Sequence, residues 1–90
     1  PTKMFEYMAM GLPVIVSNFK LYRDIVEKFH CGICVDPEDN NAVTEAVHFL
    51  LKNPEQAKKM GQNGKDAVQD NYNWDIELDK LCDFYHRLLS

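Results

Sequence analysis

A chain of 90 residues that is 46% apolar and 27% charged, with no low-complexity tract and no repeat of fixed period, has the make-up of a globular protein and excludes a disordered one. Its formal charge of -4 and scattered basic residues exclude the electrostatic footprint of a nucleic-acid or anionic-lipid binder. No apolar run approaches the ~20 residues of a membrane span and no signal sequence opens the chain, so a soluble, cytoplasmic protein is expected.

Residues 3 to 10 place Met4, Phe5, Met8 and Ala9 on one face of a helix, with Leu12 extending the apolar surface and Gly11 placed to end it. Pro13 to Ser17, with Val14-Ile15-Val16 at its centre, reads as a buried strand, and Asn18-Phe19 turns the chain. Tyr22, Ile25, Val26 and Phe29 recur at helical spacing and predict a second helix ending before Gly32. Ile33 to Val35 predicts a second strand, closed by the turn at Asp36-Pro37. Val43, Ala46, Val47, Leu50 and Leu51 form a third helical stripe, with Asp39 or Asn40 available as its N-cap.

Asn53-Pro54-Glu55-Gln56 combines a cap residue, a proline at the first helical position and a glutamine at the capping-box position, and so starts a fourth helix. Its inner stripe is Ala57, Met60, Gly61, Gly64 and Val68, and two interior glycines, each costing about 1 kcal/mol, imply either close helix packing or a break. Asn73 can cap a last helix carrying Trp74, Leu78, Leu81, Cys82, Tyr85 and Leu88. The order α-β-α-β-α-α-α implies parallel strands joined by right-handed crossovers. Two strands make a poor parallel sheet, so further strands are expected upstream. The missing initiator methionine and the start inside a helix agree with a cut through a longer protein.

Three cysteines fit reduced thiols better than a disulfide framework. Cys31-Gly32-Ile33-Cys34 has the spacing of a redox or zinc pair, yet a redox pair opens a helix and here the second cysteine runs into a strand. Buried small hydrophobes are the expectation. Ser17 and Asn18 are expected to shape a turn, as are Asp36 and Glu38, and His48 and His86 are expected at the surface or in packing. Tyr72 and Trp74 are expected to anchor a core.

In open α/β sheets ligands bind at the carboxyl ends of strands and at helix N-termini, where free amides favour phosphate. Pro1-Thr2-Lys3 opens the first helix, with Glu6 one turn in. Amides and Lys3 can meet an anion, while a carboxylate suits the two vicinal hydroxyls of a ribose. Spacing alone equally allows Lys3 and Glu6 to be a solvated i, i+3 pair worth a few tenths of a kcal/mol.

The stretch Pro1-Thr2-Lys3-Met4-Phe5-Glu6-Tyr7-Met8-Ala9-Met10-Gly11-Leu12-Pro13-Val14-Ile15 resembles family 4 glycosyltransferases of the GT-B fold. The likeness continues through Tyr22 to Glu27, Cys31 to Pro37, Asn53 to Gly64 and Tyr72-Asn73-Trp74, and so covers nearly the whole chain. It implies an α/β fold, the C-terminal half of a Rossmann-like donor-binding domain over residues 1–72, with helix 73–90 packing against an N-terminal lobe.

It also implies a retaining transferase moving a sugar from a nucleoside-diphosphate sugar to the hydroxyl of an acceptor glycan, lipid-linked or otherwise, in bacterial surface polysaccharide or glycoconjugate assembly. Neither cofactor nor metal is expected, and a peripheral membrane attachment would run through the N-terminal lobe. By the same likeness Glu6 matches the second of two family glutamates, the one associated with the ribose, and the amides of Thr2 and Lys3 match the diphosphate contacts. The first glutamate falls ahead of Pro1, and by the same likeness the acceptor-binding lobe and the catalytic histidine lie in parts not present, so the 90 residues alone are expected to be inactive. Pro1 and Lys3 stand where the commoner motif has glycine and proline. Two other classes remain open: a non-catalytic helical module docking through residues 73 to 89, and a GT-B-fold sugar-nucleotide epimerase.

Overall fold

The computed structural model describes residues 2–72 and 86–88. Six elements follow one another: α1 (Thr2–Ala9), β1 (Val14–Ser17), α2 (Lys20–Phe29), β2 (Gly32–Val35), α3 (Ala42–Lys52) and α4 (Pro54–Tyr72). The expected last helix and its packing on an N-terminal lobe lie outside the described residues, except that 86–88 are helical. The strands pair in parallel with Val14 opposite Gly32 and Ser17 opposite Val35, which makes the expected α/β architecture. Among the described residues no helix is long and apolar enough to cross a membrane.

Helix α1 buries Met4, Met8 and Ala9, the i, i+4 and i+5 positions of one face. It ends at Gly11, whose φ of 76° lies in the left-handed region open to glycine at little cost. The N–H of Leu12 donates to the Tyr7 carbonyl at 3.1 Å and that of Gly11 to Met8 at 3.0 Å, the paired bonds of a Schellman turn. Pro13 cannot continue a helix, and the chain passes straight into β1.

Helix α2 also closes on a left-handed residue, but here it is His30, φ 53°, rather than a glycine. The side-chain amide of Asn63 on α4 donates to the His30 carbonyl at 3.1 Å and ties this turn to the last long helix. At the start of α3 the structure corrects the expected cap. Asn41 occupies the N-cap position, without a side-chain cap bond, and Asp39 instead accepts the Asn41 amide at 2.9 Å in the preceding turn. Asn53 likewise sends its side-chain amide back to the Phe49 carbonyl at 2.8 Å, so it closes α3 rather than opening a capping box with Gln56. The apolar stripe of α3 is only half used: Ala46 is buried and Leu50 half-buried, whereas Val43, Val47 and Leu51 are exposed, Leu51 by 73%.

Helix α4 runs unbroken through both of its glycines, which settles the alternative in favour of close packing. A Cβ at residue 61 would overlap the Gly11 carbonyl oxygen, and one at residue 64 would sit 3.3 Å from Met8 and from Cys31. The core is therefore built where α1 and α4 meet the strands, from Met4, Met8, Ala9, Val14, Val26, Cys31, Ala67 and Val68. Small residues on α4 let the helices approach, and the long side chains of Met4 and Met8 fill the space between them.

Candidate functional site

Eight helical residues span roughly 12 Å and four strand residues roughly 13 Å. Because the Gly11 turn reverses the chain, this near equality brings Ser17, the last residue of β1, level with the first turn of α1. A groove of about 420 Å3 runs along β1 between α1 and α2, lined among others by Lys3, Met4, Tyr7, Ser17 and Tyr22. Its upper end is the carboxyl edge of the parallel pair, where this class of sheet binds ligands.

Lys3 is exposed and Ser17 half-buried at that end, and the amides of Thr2 and Lys3 belong to the turn in which a helix offers its N–H groups no backbone acceptor. Glu6 is half-buried and stands outside the groove lining, about 60° round the helix from Lys3 and one turn along from Thr2. Of the residues singled out from the sequence, then, Lys3 faces the groove while Glu6 lies on the neighbouring side of α1. Tyr7 was not singled out, yet it lines the groove one turn below Lys3. Only its i+4 spacing from Lys3 hints at this in the sequence.

Ser17, expected in a turn, is instead the last residue of β1 and lines the groove, whereas the turn at Asp36 and Glu38 forms as expected. The Asn18 amide donates to the Val35 carbonyl at 2.9 Å and extends the ladder by one bond. Asp36 accepts the Glu38 amide at 2.9 Å across the Pro37 turn.

A larger groove of about 550 Å3 lies between α2, β2 and α4 and includes Glu27, His30, Cys34, Gln56, Lys59 and Asn63. It sits toward the amino end of β2, away from the ligand-binding edge, and the Asn63 amide is already committed to His30. The cysteine pair offers it no reactive thiolate. Cys31 is fully buried, and burial pushes its thiol above the ordinary range; burial also raises Cys34, with the Glu27 carboxylate adding to the effect. Among the described residues no three of His, Cys, Asp and Glu come together as a metal site would require.

Residues 1–67 match the family model of the glycosyl transferases group 1. The chain belongs to that family. This group 1 glycosyltransferase chain is 34% identical over 79 residues to a GDP-mannose-dependent alpha-(1-6)-phosphatidylinositol monomannoside mannosyltransferase of Mycobacterium tuberculosis, covering 88% of this chain and 20% of that protein. It is 26% identical to the capsular polysaccharide biosynthesis glycosyltransferase CapM of Staphylococcus aureus, with 94% and 22% covered. Among solved structures, a sucrose-phosphate synthase from Thermosynechococcus elongatus superposes with a TM-score of 0.73 at 31% identity, covering 99% of this chain and 22% of that one. The group 1 chain thus spans about a fifth of the length of these relatives. With its two parallel strands and flanking helices, it has the fold expected of a GT-B fragment.

Proposed function

We propose that this chain supplies the diphosphate and ribose side of the donor site in a retaining family 4 glycosyltransferase. The enzyme would transfer a sugar from a nucleoside-diphosphate donor to an acceptor hydroxyl in surface polysaccharide or glycoconjugate assembly. The observation that carries the reading is the juxtaposition of the first turn of α1 with the carboxyl end of β1, in a chain whose first 67 residues match a glycosyltransferase family. In this reading the diphosphate lies against the Thr2 and Lys3 amides, in the favourable field of the helix N-terminus, and the Lys3 ammonium adds a charge. The Glu6 carboxylate accepts hydrogen bonds from the ribose 2′- and 3′-hydroxyls.

Departure of the nucleoside diphosphate leaves negative charge on the β-phosphate, and fixed amides plus an ammonium stabilise that charge without a metal. The acceptor-binding groups and the first family glutamate would come from other parts of the enzyme, so residues 1–90 alone are expected to bind weakly and turn nothing over. Because the tuberculosis relative is named for GDP-mannose, GDP is the first nucleotide to test.

The experiment is a calorimetric titration of the full-length protein with GDP, UDP and ADP, repeated with Glu6→Ala. Loss of two charge-assisted hydrogen bonds is expected to weaken the nucleotide that binds by at least about tenfold. Equal binding by the parent and Glu6→Ala overturns the assignment of the ribose contact, and failure of all three nucleotides to bind the parent overturns the donor site as a whole.

A further inference from the structure

We propose that Gly61 of α4 is a positioning residue for the donor diphosphate, acting through the Gly11 turn and helix α1; the role rests on the donor site proposed above. Helix α1 packs on β1 and α4, and α4 is its main support. Its far end, remote from Thr2 and Lys3, is the Schellman turn at Gly11. The Gly11 carbonyl faces residue 61 so closely that a Cβ there would overlap the oxygen, stand 2.9 Å from the carbonyl carbon and touch the Pro13 ring at 3.5 Å.

The obstacle is backbone, which cannot rotate aside as a side chain does. The Gly11 and Leu12 amides are both held by carbonyls of α1, so the turn moves only as a body with the helix. A helix of this length is stiff, and a displacement at its last turn reaches its first. Residue 64 gives the contrast. A Cβ there would meet Met8 Cβ and Cγ and Cys31 Cβ at 3.3 Å; rotation can move Met8 Cγ aside but neither Cβ, so the neighbours must give by a few tenths of an ångström. One face of α4 therefore holds a position where any side chain must displace α1 and its diphosphate-binding amides and another where α1 need give by only a few tenths of an ångström. Misplacement of binding groups by about 1 Å costs up to 10²-fold in rate or affinity, so small shifts suffice.

The test uses the full-length protein, with GDP, UDP and ADP as probes, and compares Gly61→Ala, Gly64→Ala and Val26→Ala. Val26→Ala empties part of the core from α2, and serves as the destabilised control. Gly61→Ala is expected to weaken the nucleotide that binds the parent about tenfold, while Val26→Ala lowers Tm at least as much and leaves Kd within twofold. Unchanged Kd in folded Gly61→Ala overturns the positioning role, and so does an equal loss in Val26→Ala, because binding then merely follows stability. A parent that binds none of the three nucleotides overturns the donor site and this role together. If Gly61→Ala does not fold, Gly64→Ala decides: a two- to threefold rise in Kd at a Tm near the parent's supports the proposal, and an unchanged Kd overturns it.

Discussion

The two edges of the parallel sheet are built on opposite plans. At the amino edge, Gly11, Pro13, Gly32 and Gly61 bring α1, β1, β2 and α4 so close that a single added carbon at residue 32 or 61 collides with backbone. At the carboxyl edge, Lys3 and Asn18 are exposed, Ser17 is half-buried and a groove opens between the helices. Packing density at one edge holds in place the open helix terminus at the other. Substitutions at the amino edge should therefore act on stability and, through α1, on binding, whereas those at the carboxyl edge should act on binding alone.

The largest effect expected is at Gly32. A Cβ there would overlap the Val14 carbonyl oxygen and stand 2.7 Å from Val14 Cγ2, so Gly32→Ala must part the two strands that the fold is built on. Urea unfolding of the full-length protein should show a loss of at least about 3 kcal/mol, or no folded protein at all. A loss under about 1 kcal/mol would break the contrast between the edges.

A smaller effect concerns Cys31, which seals the same edge. Burial raises its folded pKa above the ordinary thiol value of 9.0, so its contribution to stability is fully present below the unfolded pKa and fades as pH rises through the folded one. Between those two values the unfolded state releases the proton that the folded state still holds. Urea midpoints of the parent should accordingly fall above about pH 9, and Cys31→Ala should flatten that part of the profile; identical slopes would deny the thiol its part in the edge.

The smallest effect belongs to the carboxyl side. Lys20 and Asp24 form a 2.6 Å ion pair at the start of α2, with side chains 81% and 54% exposed. Lys20→Ala should leave stability within about 0.5 kcal/mol of the parent, because water and salt screen an exposed i, i+4 pair. A larger loss would show that the open edge carries structure as well as ligand.

Much of this was legible in the residues. The stripe of Met4, Met8 and Ala9, the stop at Gly11 and the run Val14-Ile15-Val16 each announce their element through periodicity or backbone chemistry, and the structure has each of them. The caps were less legible. Asp39, Asn40, Asn41 and Asn53 all suit a helix start, and choosing among them depends on where the preceding turn leaves each amide. The expected stripe on α3 shows the same limit, since a pattern reveals which residues share a face but not whether anything covers it. For the candidate site, Thr2, Lys3 and Glu6 stood out through a family likeness, whereas Tyr7 in the groove had only its spacing to mark it.

The sequence by itself determined the order of the six described elements, the α/β class and membership among the glycosyltransferases, because helical and strand periods, turn residues and motifs are local properties of consecutive residues. Only the tertiary structure decided what the glycines of α4 are for. Gly61 lies 50 positions along the chain from Gly11, and nothing local to either residue records that the carbonyl of one fills the space where the other's side chain would stand. The carboxyl edge likewise became a candidate site only when α1 and β1, nearly equal in length and reversed at Gly11, brought Lys3 and Ser17 to the same end of one groove.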